Sequence, residues 1–598
     1  MLMNRIDLGQ RFNHLSGILK SELTSQGFWT GELSPSALAT AVSIVALQLG
    51  DPEQSRERID CGANWLIDII NKDGGFGDTP GSLSNVSATL LVYSALNFCA
   101  AGKPGIPTIL KQIEHYLDTQ GIAVHSTAIV SSILDYYGKD YTFSLPILSM
   151  LVICRVLRTE ALEQIPRLPF ELTLLPARLY RFFNLQVVSY AIPALVAVGI
   201  YLFKHKRGSG PVTSFIRTRA IAPALRKLLL MMPESGGFLE AIPLTAFVSM
   251  CLIQSGFPDH TVVVKGLGFL KNLQRSGGSW PIDTNLSTWV TTLAIKAYGR
   301  RIHEVLDKEQ KDKLRSYLIG NQYKLPHPFN HARPGGWGWT SFSGSVPDAD
   351  DTAGAILGLM ELDPDDEQVK IAILRGCYWL AYLQNHDGGL PTFCKGWGRL
   401  PFDRSCADLT GHALLAWILV AEKYKGQLQP SILRKLNRHA CRAIRFLEKE
   451  QRSDGSWLPL WFGNQSTIDK SNPVYGTGRV MTYLRDATNC KTLGNELRKR
   501  IERLLIAAGQ YILHQQNEDG SWGGQKGIDG TIEETALAIC SLLHDNNSMD
   551  NRGFEWLEHE FTNHGLTPHP IGLYFATLWY YEKIYPLVFY LEALRRAT

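Results

Sequence analysis

The sequence predicts an all-α protein built from two α/α toroids, and three observations predict it. A module of short amphipathic helix, Gln and Gly-rich turn recurs along the chain. Each copy is followed by a helix of small and apolar residues, too uniformly apolar for a surface. Strand signals are nearly absent, and 598 residues exceed one compact core. One outer amphipathic helix plus one inner apolar helix, repeated, closes best as a ring, and two rings account for the length.

Taken in order, the N-terminal MLMNRIDLGQRFNHLSG lacks a charged region followed by an apolar run and does not read as a signal peptide. Worn copies of the module, KSELTSQGFW at Lys20–Trp29 and NWLIDIINKDGGF at Asn64–Phe76, flank an inner helix that opens at Ser36. The segment Leu185–Phe203 is uncharged and near spanning length. Gln186, Ser189, Tyr190 and Pro193 favour a buried core helix there. Ile216–Met232 carries Arg217, Arg219, Arg226 and Lys227 among apolar residues, the pattern of a surface helix or of one lying on a membrane face. Full copies follow at Lys265–Trp280, Arg375–Leu390, Arg442–Trp457 and Ala507–Trp522. In each, the Asp-Gly or Gly-Gly pair makes a tight turn. The Gln can bond the end of a neighbouring helix and the Trp can cap the turn, so most of these Trp are structural. Inner helices open at Asp350, Asp408 and Glu533.

Composition narrows the function. Hydrophobic residues at 45% and charged residues at 19% exclude long disorder. A net charge of +4 without a polybasic run gives nucleic-acid binding no support. The ten cysteines are scattered without a CxxC pair, which argues against a structural zinc site or a disulfide framework and for a reducing cytoplasm.

The chemistry concentrates at Val346-Pro-Asp348-Ala-Asp350-Asp351-Thr352, after the aromatic run Pro334-Gly-Gly-Trp-Gly-Trp339. Three carboxylates within four residues repel one another, and a helix N-terminus partly offsets this. The bland reading is a solvated N-cap cluster, as in the loop Asp363–Glu367. Between an aromatic turn and an apolar helix, however, burial and like charge can keep one carboxyl protonated as a general acid. Asp408 and His412, four apart on one helical face, add a second acid/base pair.

These motifs resemble the squalene–hopene cyclases and related class II triterpene cyclases. The resemblance rests on the Q-x-x-x-G-x-W modules, Asp348-Ala-Asp-Asp-Thr-Ala353, PGGWGW and Asp408-x-Thr-x-His412, and covers nearly the whole chain. It implies an N-terminal segment (1–20) packed on the catalytic barrel, an inserted barrel (21–274) and a catalytic barrel (275–598). It implies an isomerase of the intramolecular-lyase type that needs no metal and no cofactor. Such an enzyme protonates a terminal alkene of squalene or a similar linear polyprene and closes rings through carbocations. By motif, Asp350 is the expected proton donor, flanked by Asp348 and Asp351. His412 is expected to bond the donor as a cationic imidazole, oriented by Asp408. Tyr475 is expected to help hold the reprotonating water. Trp289, Trp339, Phe393, Trp461, Tyr574 and Tyr581 match positions whose aromatic faces stabilise cations. A peripheral contact with the inner face of the cell membrane and a homodimer are further expectations. Two other readings stay open: a class II diterpene or meroterpenoid cyclase on a different prenyl substrate, and a non-catalytic α/α scaffold.

Overall fold

The computed structural model describes residues 7–126, 129–137, 141–174, 187–206, 208, 210–543, 551–574 and 578–598; the side chains of 136–137, 141–143 and 573–574 lie outside this description. Among the described residues, strand is confined to two short antiparallel pairs and isolated bridges.

Two closed rings of inner helices organise the chain. In the first, Ala37–Gly50 packs on Val86–Cys99, which packs on Tyr141–Ile153, then Val188–His205, then Ile242–Gln254, which returns to Ala37–Gly50. In the second, Ser287–Tyr298, Ala349–Leu362, Ala407–Lys423, Pro473–Thr488, Ile532–Leu542 and Tyr585–Ala597 pack in turn, and the last closes on the first. Helices buried on every face need no amphipathic stripe, which explains their composition. Side-chain caps start many of them: Ser36, Asn85, Asp348, Asn472 and Thr531 each accept a backbone N–H three residues on. The uncharged stretch flagged in the sequence is one of these inner helices, and most of Val188–His205 is buried. It is long and apolar enough to cross a membrane by length and composition alone. Leu185 and Gln186 lie outside the described residues.

Outer helices pack behind the inner ones, and the repeat modules staple the pairs. Gln384 Nε2 donates to Gly388 O in its own turn (2.7 Å) and to His439 O on the next outer helix (3.1 Å). Gln451 does the same to Gly455 O (2.9 Å) and Leu504 O (3.0 Å). The indoles of Trp29, Trp280, Trp457 and Trp522 each donate to the carbonyl ten residues earlier, at 2.7–2.9 Å. One further module escapes the sequence pattern. Gln322 donates to Gly335 O and Ala372 O, and Trp337 Nε1 to Leu318 O, across a long loop.

The N-terminal helix Leu8–Ser21 stands behind the last inner helix Tyr585–Ala597. Tyr298 Oη donates to Ser16 O (2.8 Å), and Lys20 Nζ to Val305 O (2.7 Å). The two rings meet where their inner helices begin. Pro35–Ser36 pairs with Trp280–Pro281, Leu33 bridges Glu582, and Ala241 bridges Asp283. Asp78, fully buried, accepts the Trp579 N–H at 2.8 Å.

Candidate active site

The acid motif sits at this seam. Asp348 is the N-cap of Ala349–Leu362, and its Oδ1 accepts the Asp351 N–H at 2.8 Å. Two backbone bonds fix the turn: Asp348 N–H to Trp337 O (2.9 Å) and Ala349 N–H to Thr392 O (2.8 Å). The acid cluster is thereby tied to the two loops that carry Trp339 and Phe393. The acidic loop Asp363–Glu367, by contrast, pairs with Arg315 and Lys423 near the surface.

The three carboxyls diverge in character. Burial pushes Asp348 up to about 8, and the charge of Asp350 adds to that. Asp351 is pushed well up by burial and then by the charges of Asp348 and Asp350. Burial acts on Asp350 too, yet its carboxyl ends below the ordinary value. The hydrogen bond and charge of His412, then Arg479 and Lys296, pull it down. His412 Nδ1 lies 2.5 Å from Asp350 Oδ1.

Burial holds the His412 imidazole below its usual value; Asp350 raises it, while Arg479 and Lys296 oppose that. Arg479 and Lys296 thus add positive charge near the pair beyond what the imidazole supplies. One expectation about His412 is corrected: Asp408 does not orient the ring. Its Oδ1 is paired with the Cys406 thiol (2.5 Å), toward the start of its own helix. His412 lies one turn deeper, stacked on Tyr483 with centroids 4.5 Å apart and planes 9° apart.

The aromatic positions divide. Phe393 lies edge-on to Trp339 (5.9 Å) and to Trp461 (5.8 Å). Trp461 Nε1 donates to Thr392 Oγ1 (2.6 Å), and Trp339 Nε1 reaches Asp283 Oδ1 (3.4 Å). Tyr190 and Phe402, which the motif did not supply, complete this group. Tyr190 stacks on Phe402 at 4.7 Å and lies 5.5 Å from Phe393. Tyr190 comes from the first ring, so the group straddles the seam. Trp289 belongs to a second group: its Nε1 donates to Tyr585 Oη (2.9 Å), and the Arg479 guanidinium lies 5.5 Å from its ring centroid. Tyr475 is fully buried and stacks on Phe462 at 4.4 Å; its hydroxyl meets no protein partner among the described residues.

Tyr581 is not brought to these rings. It is half-buried, near Thr79 and Arg275 of the first ring. Strand alternation over Leu578–Tyr580 instead turns Tyr580 toward Tyr585, with hydroxyls 3.4 Å apart. The side chain of Tyr574 lies outside the described residues.

Comparison with known proteins follows this geometry. The chain is 28% identical over 386 residues to the terpene cyclase-glycosyl transferase fusion protein fsoA of Humicola fuscoatra, over 57% of this chain and 27% of that protein. It is 22% identical over 522 residues to a squalene–hopene cyclase of Alicyclobacillus acidocaldarius, over 77% of this chain and 76% of that one. The chain thus spans about a quarter of the first of these relatives and three quarters of the second. The ent-copalyl diphosphate synthase from Streptomyces platensis shares the fold, with TM-score 0.57 at 17% identity over 98% of this chain and 99% of that one. A model of the squalene-hopene cyclase C-terminal domain matches residues 285–594, more than half of the sequence, and the chain belongs to that family.

Proposed function

We propose that the chain is a class II terpene cyclase that protonates squalene or a similar linear polyprene and carries it through carbocations to a polycyclic terpenoid. The observation that carries the reading is the 2.5 Å Asp350–His412 pair, at a helix start that backbone bonds tie to the loops carrying Trp339 and Phe393.

The proton leaves the Asp350 carboxyl for the terminal carbon of an alkene. The alkene π pair forms the new C–H bond, and the next carbon becomes a tertiary cation. Successive double bonds attack it, until the last cation loses a proton or takes up water. Alkenes are weak bases, so the acid must be strong and its conjugate base stabilised. Asp350 meets this condition because the bond and charge of His412, then Arg479 and Lys296, outweigh its burial. Burial disfavours charge on Asp348 and Asp351, which limits the repulsion they exert on the carboxylate left at Asp350. Aromatic faces offer the cation up to about 2 kcal/mol each when desolvated, without a nucleophile. Tyr475, with a free hydroxyl near Asp350 and Arg479, is the proposed holder of the water that returns the proton.

The test is incubation of detergent-solubilised enzyme with squalene, with shorter and longer polyprenes and with geranylgeranyl diphosphate, read by mass spectrometry. Wild type should give cyclised products, and Asp350→Asn should lose about 10³-fold or more in turnover while keeping its melting temperature. Identical profiles for both proteins overturn the reading; turnover of the diphosphate alone moves it to the diterpene class.

The proposal extends to peripheral membrane attachment on the cytoplasmic side. The helix Pro211–Met231 exposes Val212, Phe215, Ile216, Leu229 and Leu230. Val212 and Leu230, about five turns apart, fall on one face. Arg217 is not part of that surface: it is buried against Glu171 at 3.1 Å. Phe215→Glu with Leu230→Glu should abolish co-flotation with anionic vesicles and leave turnover in detergent unchanged. Undiminished flotation rejects this face.

A further inference from the structure

Arg479 is fully buried. On the helix Pro473–Thr488, Tyr475 stands one turn before it and Tyr483 one turn after, so the three share a face. Its guanidinium carbon lies 5.5 Å from the Trp289 ring centroid and 5.0 Å from that of Tyr483. Lys296 Nζ lies 4.9 Å from the same Tyr483 centroid. His412 stacks on Tyr483 and bonds Asp350, so one tyrosine ring joins the two cations to the imidazole of the acid pair.

The two cations differ in what neutralises them. Lys296 pairs with Glu592 at 3.2 Å, Glu592 with Arg596 at 2.9 Å, and Arg596 with Asp486 through two bonds of 2.9 and 2.7 Å. That set holds two cations and two anions. Arg479 has no ion pair among the described residues, and its Nη1 meets no hydrogen-bond partner. A buried guanidinium without a carboxylate is costly, and two aromatic faces offset only part of the cost. Asp348 and Asp351 are disposed to keep their protons. The anion left to balance Arg479 is the carboxylate of Asp350.

We propose that Arg479 is the positioning residue of the acid: a fixed counter-charge that stabilises the Asp350 carboxylate left by proton transfer and makes Asp350 the strongest acid of the three. The catalytic half of this inference rests on the cyclase reading; the electrostatic half does not need a substrate. The groups around Asp350 are Asp348 and Asp351 on its own helix and Asp408 and His412 on the next. Tyr475, Tyr483 and Arg479 face it from the third, Lys296 and Glu592 from the two that close the ring, and Tyr580 from the hairpin. Of the cations among them, Arg479 alone lacks a carboxylate of its own.

The test compares wild type, Arg479→Met and Arg479→Lys in the full-length protein. NMR of ¹³C-labelled histidine follows the His412 titration without substrate, assigned with His412→Asn. Removing a nearby cation should raise the His412 pKa by about one unit in the Met variant, and Lys should restore most of it. With squalene, kcat should fall about tenfold or more at unchanged KM, and the alkaline limb of kcat should move to higher pH. The melting temperature should hold, since Asp350 can keep its proton once its counter-charge is gone. An unchanged His412 titration in the Met variant overturns the proposal. So does lost activity with a lowered melting temperature and a wild-type pH profile, the mark of a structural role. If the Met variant does not fold, Arg479→Gln is read by the same criteria. If wild type leaves every polyprene untouched, the cyclase reading fails while the titration still decides the counter-charge.

Discussion

Asp350 is told apart from Asp348 and Asp351 by what its carboxyl can reach. Asp348 turns back to cap its own helix, and Asp351 is left among like charges. Asp350 faces His412, and beyond it Arg479 and Lys296. In the proposed mechanism the proton therefore belongs to a pair whose carboxyl lies low and whose imidazole burial also holds low. An acid of lowered pKa is the first to lose its proton as pH rises. Turnover on squalene should therefore climb as pH falls from about 8 toward 5. A rate that rises with pH over that range contradicts the assignment. That Asp350 and His412 belong to one site was legible because motif and helical spacing are local. Tyr190 was not: its partners Phe393 and Phe402 lie some two hundred residues on, and no local pattern records that pairing. That Tyr581 faces away from the grouped rings was not legible either, because alternate strand residues face opposite sides and no sequence signal fixed the register. Arg479 could have been found, since an arginine in the middle of a buried helix, four residues from each of two tyrosines, is unusual.

Within each helix pair, the staple leaves no room for a side chain at its turn glycine. Gly455 has φ of 91°, and a Cβ there would lie 2.4 Å from Ala507 O on the next outer helix. Gly388 makes the same approach to Arg442 O at 2.4 Å. Gly455→Ala must both strain the turn and push the helix away, so it should cost about 2–4 kcal/mol in urea unfolding. Trp457→Phe keeps most of the apolar contact and loses the indole bond to Leu447 O, which retains the Gln451 N–H, so it should cost about 0.5–1.5 kcal/mol. Near-neutral effects for both would mean that the staple does not hold the ring together. Four of these modules were plain in the sequence because Gln and Gly lie four apart, as in Gln384–Gly388. The Gln322 module was hidden because residues 323–334 separate its Gln from its Gly, although the same bonds form. Inner helices were legible from composition alone, since burial on all faces leaves no period to find.

Across the whole molecule, the seam between the rings carries carboxyls that burial pushes upward: Asp78 to about 6, Glu240 to about 7 and Glu582 to about 8. Each accepts backbone N–H groups from across the seam: Asp78 from Trp579, Glu240 from Gly344, Glu582 from Glu32. The two rings are thus joined through carboxyls that burial makes harder to ionise. A carboxyl whose folded pKa exceeds its unfolded value binds its proton more tightly when folded, so stability falls as pH rises between the two values. For Glu582 that window runs from about 4.5 to about 8. One unit is about 1.4 kcal/mol, so this residue alone can withdraw up to about 4 kcal/mol across it. Asp350, whose folded value is lowered, acts oppositely, but its contribution is complete above the ordinary carboxylate range and adds no slope near neutrality. The melting temperature should therefore decline from about pH 5 to pH 8. Glu582→Gln should be less stable at pH 5, because one of the two N–H donors from Glu32 and Ile584 then faces an amide NH2. Its stability should nevertheless change less with pH than that of wild type. Parallel pH profiles for the two proteins would show that Glu582 stays ionised in the folded chain, and that the rings are held by a buried charge rather than by a buried acid.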